Sequence, residues 1–157
     1  MLTGDKIETA ISIGFSCQLL TPAMDRIQVD SEVTEEIERQ LDAAIVEVST
    51  INESGVVYAL VVSGMSLLKI MAPGKEAIAE KFLKIADNCA AVLACRVSPK
   101  QKADIVRFIR AKKPDARTLA IGDGANDVNM ITAAHVGVGI SGLEGQQAVR
   151  ASDYAIA

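Results

Sequence analysis

The sequence has no tryptophan, only two tyrosines and three phenylalanines. Stacking platforms for single-stranded nucleic acid therefore have little to work with. It also lacks a basic excess: the net charge is −4, which argues against general nucleic-acid binding. No uninterrupted apolar stretch approaches the roughly 18–20 residues that a membrane span needs. Cysteine is sparse and odd in number. Cys17, Cys89 and Cys95 show no paired metal-ligand spacing, so they read as small buried hydrophobes in a reducing compartment. There is one histidine, His135, with no serine or cysteine visibly arranged beside it as a nucleophile. A structural role at a helix end is expected for it. The start, Met1-Leu2-Thr3-Gly4-Asp5-Lys6, is neither a signal nor a transit peptide and reads as a cut through something longer.

What is present is an apolar half of the composition in 157 residues, enough for one domain with a proper core. Such content suits strands buried on both faces, as in a parallel sheet covered by helices. Asp5 with Glu8 three residues on reads as a capping box opening a helix through Cys17, closed by Pro22. Ile27 to Ser31 reads as short, polar and irregular. Val33, Ile37, Leu41, Ala44, Ile45 and Val48 mark an amphipathic helix, with Glu35, Glu36, Glu38 and Arg39 on its wet side. Val56–Val62 is dense in β-branched residues and reads as a strand, with a turn at Ser63-Gly64-Met65-Ser66.

A helix is expected over Lys75–Asn88 and a strand over Ala91–Val97. Ser98-Pro99 with Gln101 then forms a second capping box. Strands at Leu119–Gly122, Val136–Ile140 and Tyr154–Ala157, joined by short helices after Asn126 and Leu143, complete the pattern. Alternating strands and helices predict an α/β fold, a Rossmann-like and mostly parallel sheet with helices on both faces.

The chemistry concentrates in Gly122-Asp123-Gly124-Ala125-Asn126-Asp127, directly after the apolar run Thr118–Ile121. Open α/β sheets bind ligands at the carboxyl ends of their strands, where this turn falls. Two carboxylates and an amide there suit Mg²⁺, which takes a few hard oxygens and leaves room for water and phosphate. Asp123 is the first choice as metal ligand. Asp127 either ligates through water or orients a lysine, and Asn126 can donate to a phosphate oxygen.

Arg96 and Lys102 flank the capped turn before the next helix. A cation near a helix N-terminus is unfavourable by up to about 1 kcal/mol. A carboxylate or bound anion offsets that, since opposite charges 4 Å apart attract by about 4 kcal/mol at an effective dielectric of 20. Thr3-Gly4-Asp5 offers a hydroxyl and an amide at a helix start, a third possible anion contact.

These elements, in this order, resemble the phosphorylation domain of P-type ATPases of the haloacid-dehalogenase superfamily, and within it the phospholipid-transporting flippases. The resemblance rests on Leu2-Thr3-Gly4-Asp5-Lys6 with Glu8-Thr9-Ala10, on Cys95-Arg96-Val97-Ser98-Pro99 with Gln101-Lys102, on Thr118–Asp127, and on Gly137-Val138-Gly139-Ile140-Ser141-Gly142-Leu143-Glu144-Gly145. It covers nearly the whole chain and is weakest between about Ile27 and Lys75.

The resemblance implies that Thr3, Gly4 and Asp5 lie near the phosphoryl group and nucleotide, and that Arg96 approaches the nucleotide from the far side. It implies catalytic roles for Lys102, Thr3 and Asp127, with Lys102 neutralising the phosphoryl group. Asp123 would hold Mg²⁺, with Asn126 and Asp127 supporting phosphate and metal. The implied cofactor is Mg²⁺ and the substrate ATP. The implied partners are nucleotide-binding, actuator and transmembrane domains of a parent pump, phospholipid, and an accessory subunit. The parent would sit in a membrane with this part, soluble by itself, at the cytosolic face.

One departure matters. The family's nucleophile lies in Asp-Lys-Thr-Gly-Thr, which does not occur in these 157 residues. Covalent catalysis needs its nucleophile within reach, so the fragment alone is expected to be inert. Its sheet is expected to lack the central strand that bears the nucleophile, and so to invite self-association. Two other readings stay open: a soluble phosphatase of the same superfamily, and a non-catalytic module that binds Mg²⁺ and phosphate.

Overall fold

The computed structural model describes residues 1–50, 55–142 and 145–157, without the side chain of residue 50. Leu143 and Glu144, part of the last signature, lie outside the described residues. The chain forms two compact units, Met1–Val97 and Ser98–Ala157.

The first unit runs α1 (Ile7–Ser16), β1 (Met24–Val29), α2 (Thr34–Thr50), β2 (Val57–Ser63), α3 (Gly64–Ile70), α4 (Glu76–Asp87) and β3 (Cys89–Cys95). Its sheet has the order β1-β2-β3, all parallel. Six consecutive residues of β2, Tyr58 to Ser63, are buried, so both faces of that strand are covered. Ala59 and Val61 face α1 through Ile7 and Ala10, together with Leu20, Leu93 and Cys95. The alternate residues Leu60 and Val62 are equally buried, and α2 and α4, packed on each other and on β1 and β3, form the opposite layer.

Leu2 extends this sheet beyond β3 as an isolated parallel bridge to Ala94. Met1 N donates to Val92 O at 2.7 Å, and Thr3 N to Ala94 O at 2.9 Å.

Three expectations need correction here. Met24–Val29 is a strand, not irregular: Ile27 and Val29 point inward while Asp25, Arg26 and Gln28 stay exposed, the period-2 pattern of a half-buried edge. Ser63 does not merely turn the chain. Its hydroxyl accepts from Ser66 N and caps α3. Asp5 does not cap α1: Lys6 is the N-cap residue and no side chain bonds the first turn. Asp5 is instead occupied by Thr3, whose hydroxyl donates to its Oδ2 at 2.6 Å.

The second unit runs α5 (Pro99–Lys112), β4 (Leu119–Gly122), a 3-10 turn (Ala125–Asp127), α6 (Val128–Ala133), β5 (Val136–Ile140), α7 (Gln147–Ala151) and β6 (Tyr154–Ile156). Its sheet is again parallel, in the order β4-β5-β6. Here α6 and α7 pack so closely that only glycine fits. A Cβ on Gly139 would lie 2.5 Å from Ala148 O, and one on Gly137 would lie 2.6 Å from Ile131 Cγ2. Ile121, Val136, Ile140, Tyr154 and Ile156 stay exposed on the sheet's other face. Among the described residues the named strands all pair in parallel, where a mostly parallel sheet was expected, but they divide into two three-stranded sheets. Among the described residues β4 pairs only with β5, and the Leu2 bridge only with β3.

Candidate phosphate and metal site

The second unit builds its site from a helix start and a strand end. Ser98 opens α5 as the sequence predicts: Ser98 Oγ accepts from Gln101 N at 3.3 Å, and Ser98 N donates to Gln101 Oε1 at 2.9 Å. That reciprocal cap fixes the first turn, and with it the next residue, Lys102, whose N–H reaches Ser98 O. Lys102 is buried and donates from Nζ to Asp127 Oδ1 at 2.8 Å. Asp127 is buried as well, so the two charges satisfy one another out of water.

Gly122 makes this possible. A Cβ there would sit 2.4 Å from Asp127 Cβ and 2.7 Å from its Oδ2, so the carboxylate rests directly on the α-carbon of Gly122. The sequence pattern flagged this glycine only as part of a turn. Its steric role depends on a residue five positions later.

Asp123 and Asn126 differ from the buried pair in being exposed. Asp123 makes no hydrogen bond or ion pair among the described residues. A Cβ on Gly142 would lie 3.9 Å from Asp123 Oδ2, which places the aspartate beside the carboxyl end of β5. An exposed hard-oxygen ligand without a protein cation among the described residues, on the same turn as an aspartate already paired with lysine, fits Mg²⁺. This ion commonly uses one or two carboxylates and fills the rest of its shell with water and phosphate.

The first unit gathers Thr3, Gly4, Asp5 and Arg96. Val97 N donates to Thr3 O and Arg96 N to Asp5 O, which ties this turn to the end of β3. Thr3 Oγ1 also accepts from Asp5 N at 3.1 Å. A Cβ on Gly4 would meet only Val97 O, at an ordinary 3.7 Å, so nothing there demands glycine. Arg96 is exposed and has φ of 53°, the left-handed region that non-glycine residues rarely occupy. Such strain gathers at binding sites. Each group of site residues belongs to its own unit.

His135 sits away from this chemistry. Its Nδ1 accepts from Thr118 N at 3.1 Å and contacts Thr118 Oγ1 at 3.0 Å, and its own N–H reaches Thr118 Oγ1. Accepting a backbone N–H requires an unprotonated Nδ1. Burial, then Arg110 and Arg117, push the ring pKa down. The folded state therefore favours neutral His135. Its contribution is complete above the unfolded value near 6.5 and is lost as pH falls through that value towards the lower folded one. The thermal midpoint should drop on acidification in that window, and His135→Asn should flatten the drop. An equal slope in both proteins would rule the linkage out.

Comparison with known proteins follows the same lines. A haloacid dehalogenase-like hydrolase family model matches residues 81–149. Phospholipid-transporting ATPase 1 of Arabidopsis thaliana is 49% identical over 99% of this chain and 13% of its own length. Phospholipid-transporting ATPase DRS2 of Saccharomyces cerevisiae is 45% identical over 99% of this chain and 11% of its own. Over nearly all of its length this chain is similar to one segment of phospholipid-transporting ATPases. It spans only about an eighth of the length of the curated relatives it matches. A solved zinc-transporting PIB-type ATPase aligns at 21% identity over 73% of this chain and 16% of that one, with a TM-score of 0.37, too low to carry an argument. No helix among the described residues is long and apolar enough to cross a membrane.

Proposed function

We propose that residues 1–157 are one phosphorylation-domain segment of an ATP-driven phospholipid flippase, and that they supply its Mg²⁺ and phosphoryl-binding surface. The observation that carries this reading is the buried Lys102–Asp127 pair, whose carboxylate rests on Gly122, in the same turn as Asp123, which is exposed and unpartnered among the described residues. Asp123 would hold the metal, whose charge would offset that of the phosphoryl oxygens. Asn126 would donate to phosphate without adding negative charge. Asp127 would keep the Lys102 ammonium aimed at the carboxyl end of β4. Within the first unit, Thr3, Asp5 and Arg96 would offer contacts of their own to nucleotide or phosphate.

In the parent, an aspartate outside these residues would attack the γ-phosphate of ATP, releasing ADP and forming an aspartyl-phosphate, whose hydrolysis would drive lipid across the bilayer. The parent would be membrane-embedded, with this segment on the cytosolic side and the nucleotide-binding, actuator and transmembrane domains as its partners. An accessory subunit and self-association of the fragment belong to the same reading.

Calorimetric titration with Mg²⁺ and then inorganic phosphate tests the reading on this chain. Binding is expected in the unmodified protein and should be lost in Asp123→Ala, while Asn126→Ala should weaken phosphate alone. ATP hydrolysis is expected to be absent. Mg²⁺ binding that survives Asp123→Ala would refute the metal assignment. Mg²⁺-dependent phosphate release abolished by Asp123→Ala would refute the inertness and favour a self-sufficient phosphatase.

A further inference from the structure

Charge is segregated along the chain. Residues 1–97 carry eight Lys and Arg against fourteen Asp and Glu, a net of −6. Residues 98–157 carry eight against six, a net of +2. Within the second part the excess is local: Arg110, Lys112, Lys113 and Arg117 fall in eight residues, opposed there only by Asp115.

The fold gathers these cations at one end of the second sheet. Arg110 Nη1 donates to Ala133 O at 2.6 Å, tying the last turn of α5 to the end of α6. Ala116 N donates to Lys113 O in the turn that leads into β4. His135 N and Val136 N both donate to Thr118 O, locking the starts of β4 and β5 together. Because the strands are parallel, this end is opposite the Gly122–Asp127 loop. Arg110, Lys112 and Arg117 are exposed. Arg110 and Arg117 both bear electrostatically on the His135 ring, so they converge from different segments.

A structural explanation covers part of the cluster. Arg110 and Lys112 lie in the last turn of α5, where cations favour the helix dipole. Arg117 lies beyond the helix and gains nothing from it. Two residues after Arg117, Leu119 is 60% exposed, and Val136, its register partner on β5, is 36% exposed. Basic residues rimming exposed apolar ones are the composition of a surface that rests on a bilayer.

We propose that this end of the unit, through Arg110, Lys112, Lys113 and Arg117, docks on an anionic phospholipid surface. A bilayer offers both anionic headgroups for these cations and apolar contact for Leu119 and Val136, whereas a polyanion offers only the charge. From the proposed function this takes only the nearness of a membrane. It uses none of the Mg²⁺ or phosphate chemistry.

Co-sedimentation of the whole chain with phosphatidylcholine vesicles, with and without phosphatidylserine, tests it at low and high salt. Binding is expected only with phosphatidylserine, and it should weaken as salt screens the charges. Each cation removed should weaken binding about fivefold. The double variant Lys112→Glu and Arg117→Glu should therefore lose more than tenfold, and the glutamine pair somewhat less. Circular dichroism of each variant should match the parent. Asp123→Ala should leave vesicle binding unchanged even where it abolishes Mg²⁺ binding, so this proposal and the proposed function fail separately. Equal binding to neutral vesicles, no binding to either, or full binding by the folded charge variants would each overturn the docking surface. So would a preference for heparin over phosphatidylserine vesicles.

Discussion

Lys102→Met is expected to destabilise the protein by about 3–5 kcal/mol, because it leaves the Asp127 carboxylate buried without its cation. Both side chains are less than a tenth exposed, so water cannot take the place of the missing ammonium. Asp127→Leu should cost a comparable amount by stranding Lys102. The double variant should recover most of the loss, since an apolar pair of similar volume is often neutral or stabilising relative to a buried ion pair. Urea denaturation of the four proteins gives the coupling directly. If the single changes cost under about 1 kcal/mol and simply add, the pair behaves like an exposed salt bridge and water enters the site. A stable double variant that no longer binds phosphate would fit a pair kept for its charge rather than for stability.

What was readable beforehand divides by the range of the interaction. The Ser98–Gln101 capping box was legible because its partners are three residues apart and both types are specific to the motif. Asp5 with Glu8 has the same spacing but fails, because Thr3 competes locally for Asp5 and β3 holds the Asp5 carbonyl through Arg96 N. The strand Met24–Val29 was hidden by its outward Asp25, Arg26 and Gln28, although Ile27 and Val29 alternate with polar neighbours as an edge strand requires.

At the site, the chemistry was legible and the contacts were not. Asp127 and Lys102 could be named from their motifs, but their contact joins residues 25 apart and depends on how α5 returns to β4. The contact of His135 with Thr118 joins residues 17 apart in the same way. The division into two parallel sheets, rather than one, was equally beyond local pattern. Strand pairing is decided by which strand edges find partners, and hydrophobicity alone does not encode that.

Gly122→Ala is the second large effect expected, and it tests whether steric room, rather than charge, positions the site. The added methyl would come within 2.4 Å of Asp127 Cβ and 2.7 Å of its Cγ. Neither atom is the free end of a flexible chain, since the carboxylate beyond them is held by Lys102. The strand or the 3-10 turn must therefore shift, and over-packing of this kind costs about 1–3 kcal/mol. Loosening of the ion pair adds to that cost, and Mg²⁺ affinity should fall with it because Asp123 shares the displaced turn.

The decisive comparison is Gly122→Ala in an Asp127→Gly background. With the Asp127 side chain gone the methyl has space, so there the change should be nearly silent. It could even be mildly stabilising, through the reduced freedom of the unfolded chain. An undiminished cost in that background would place the clash with backbone elsewhere, and would mean that Gly122 serves the strand rather than the carboxylate.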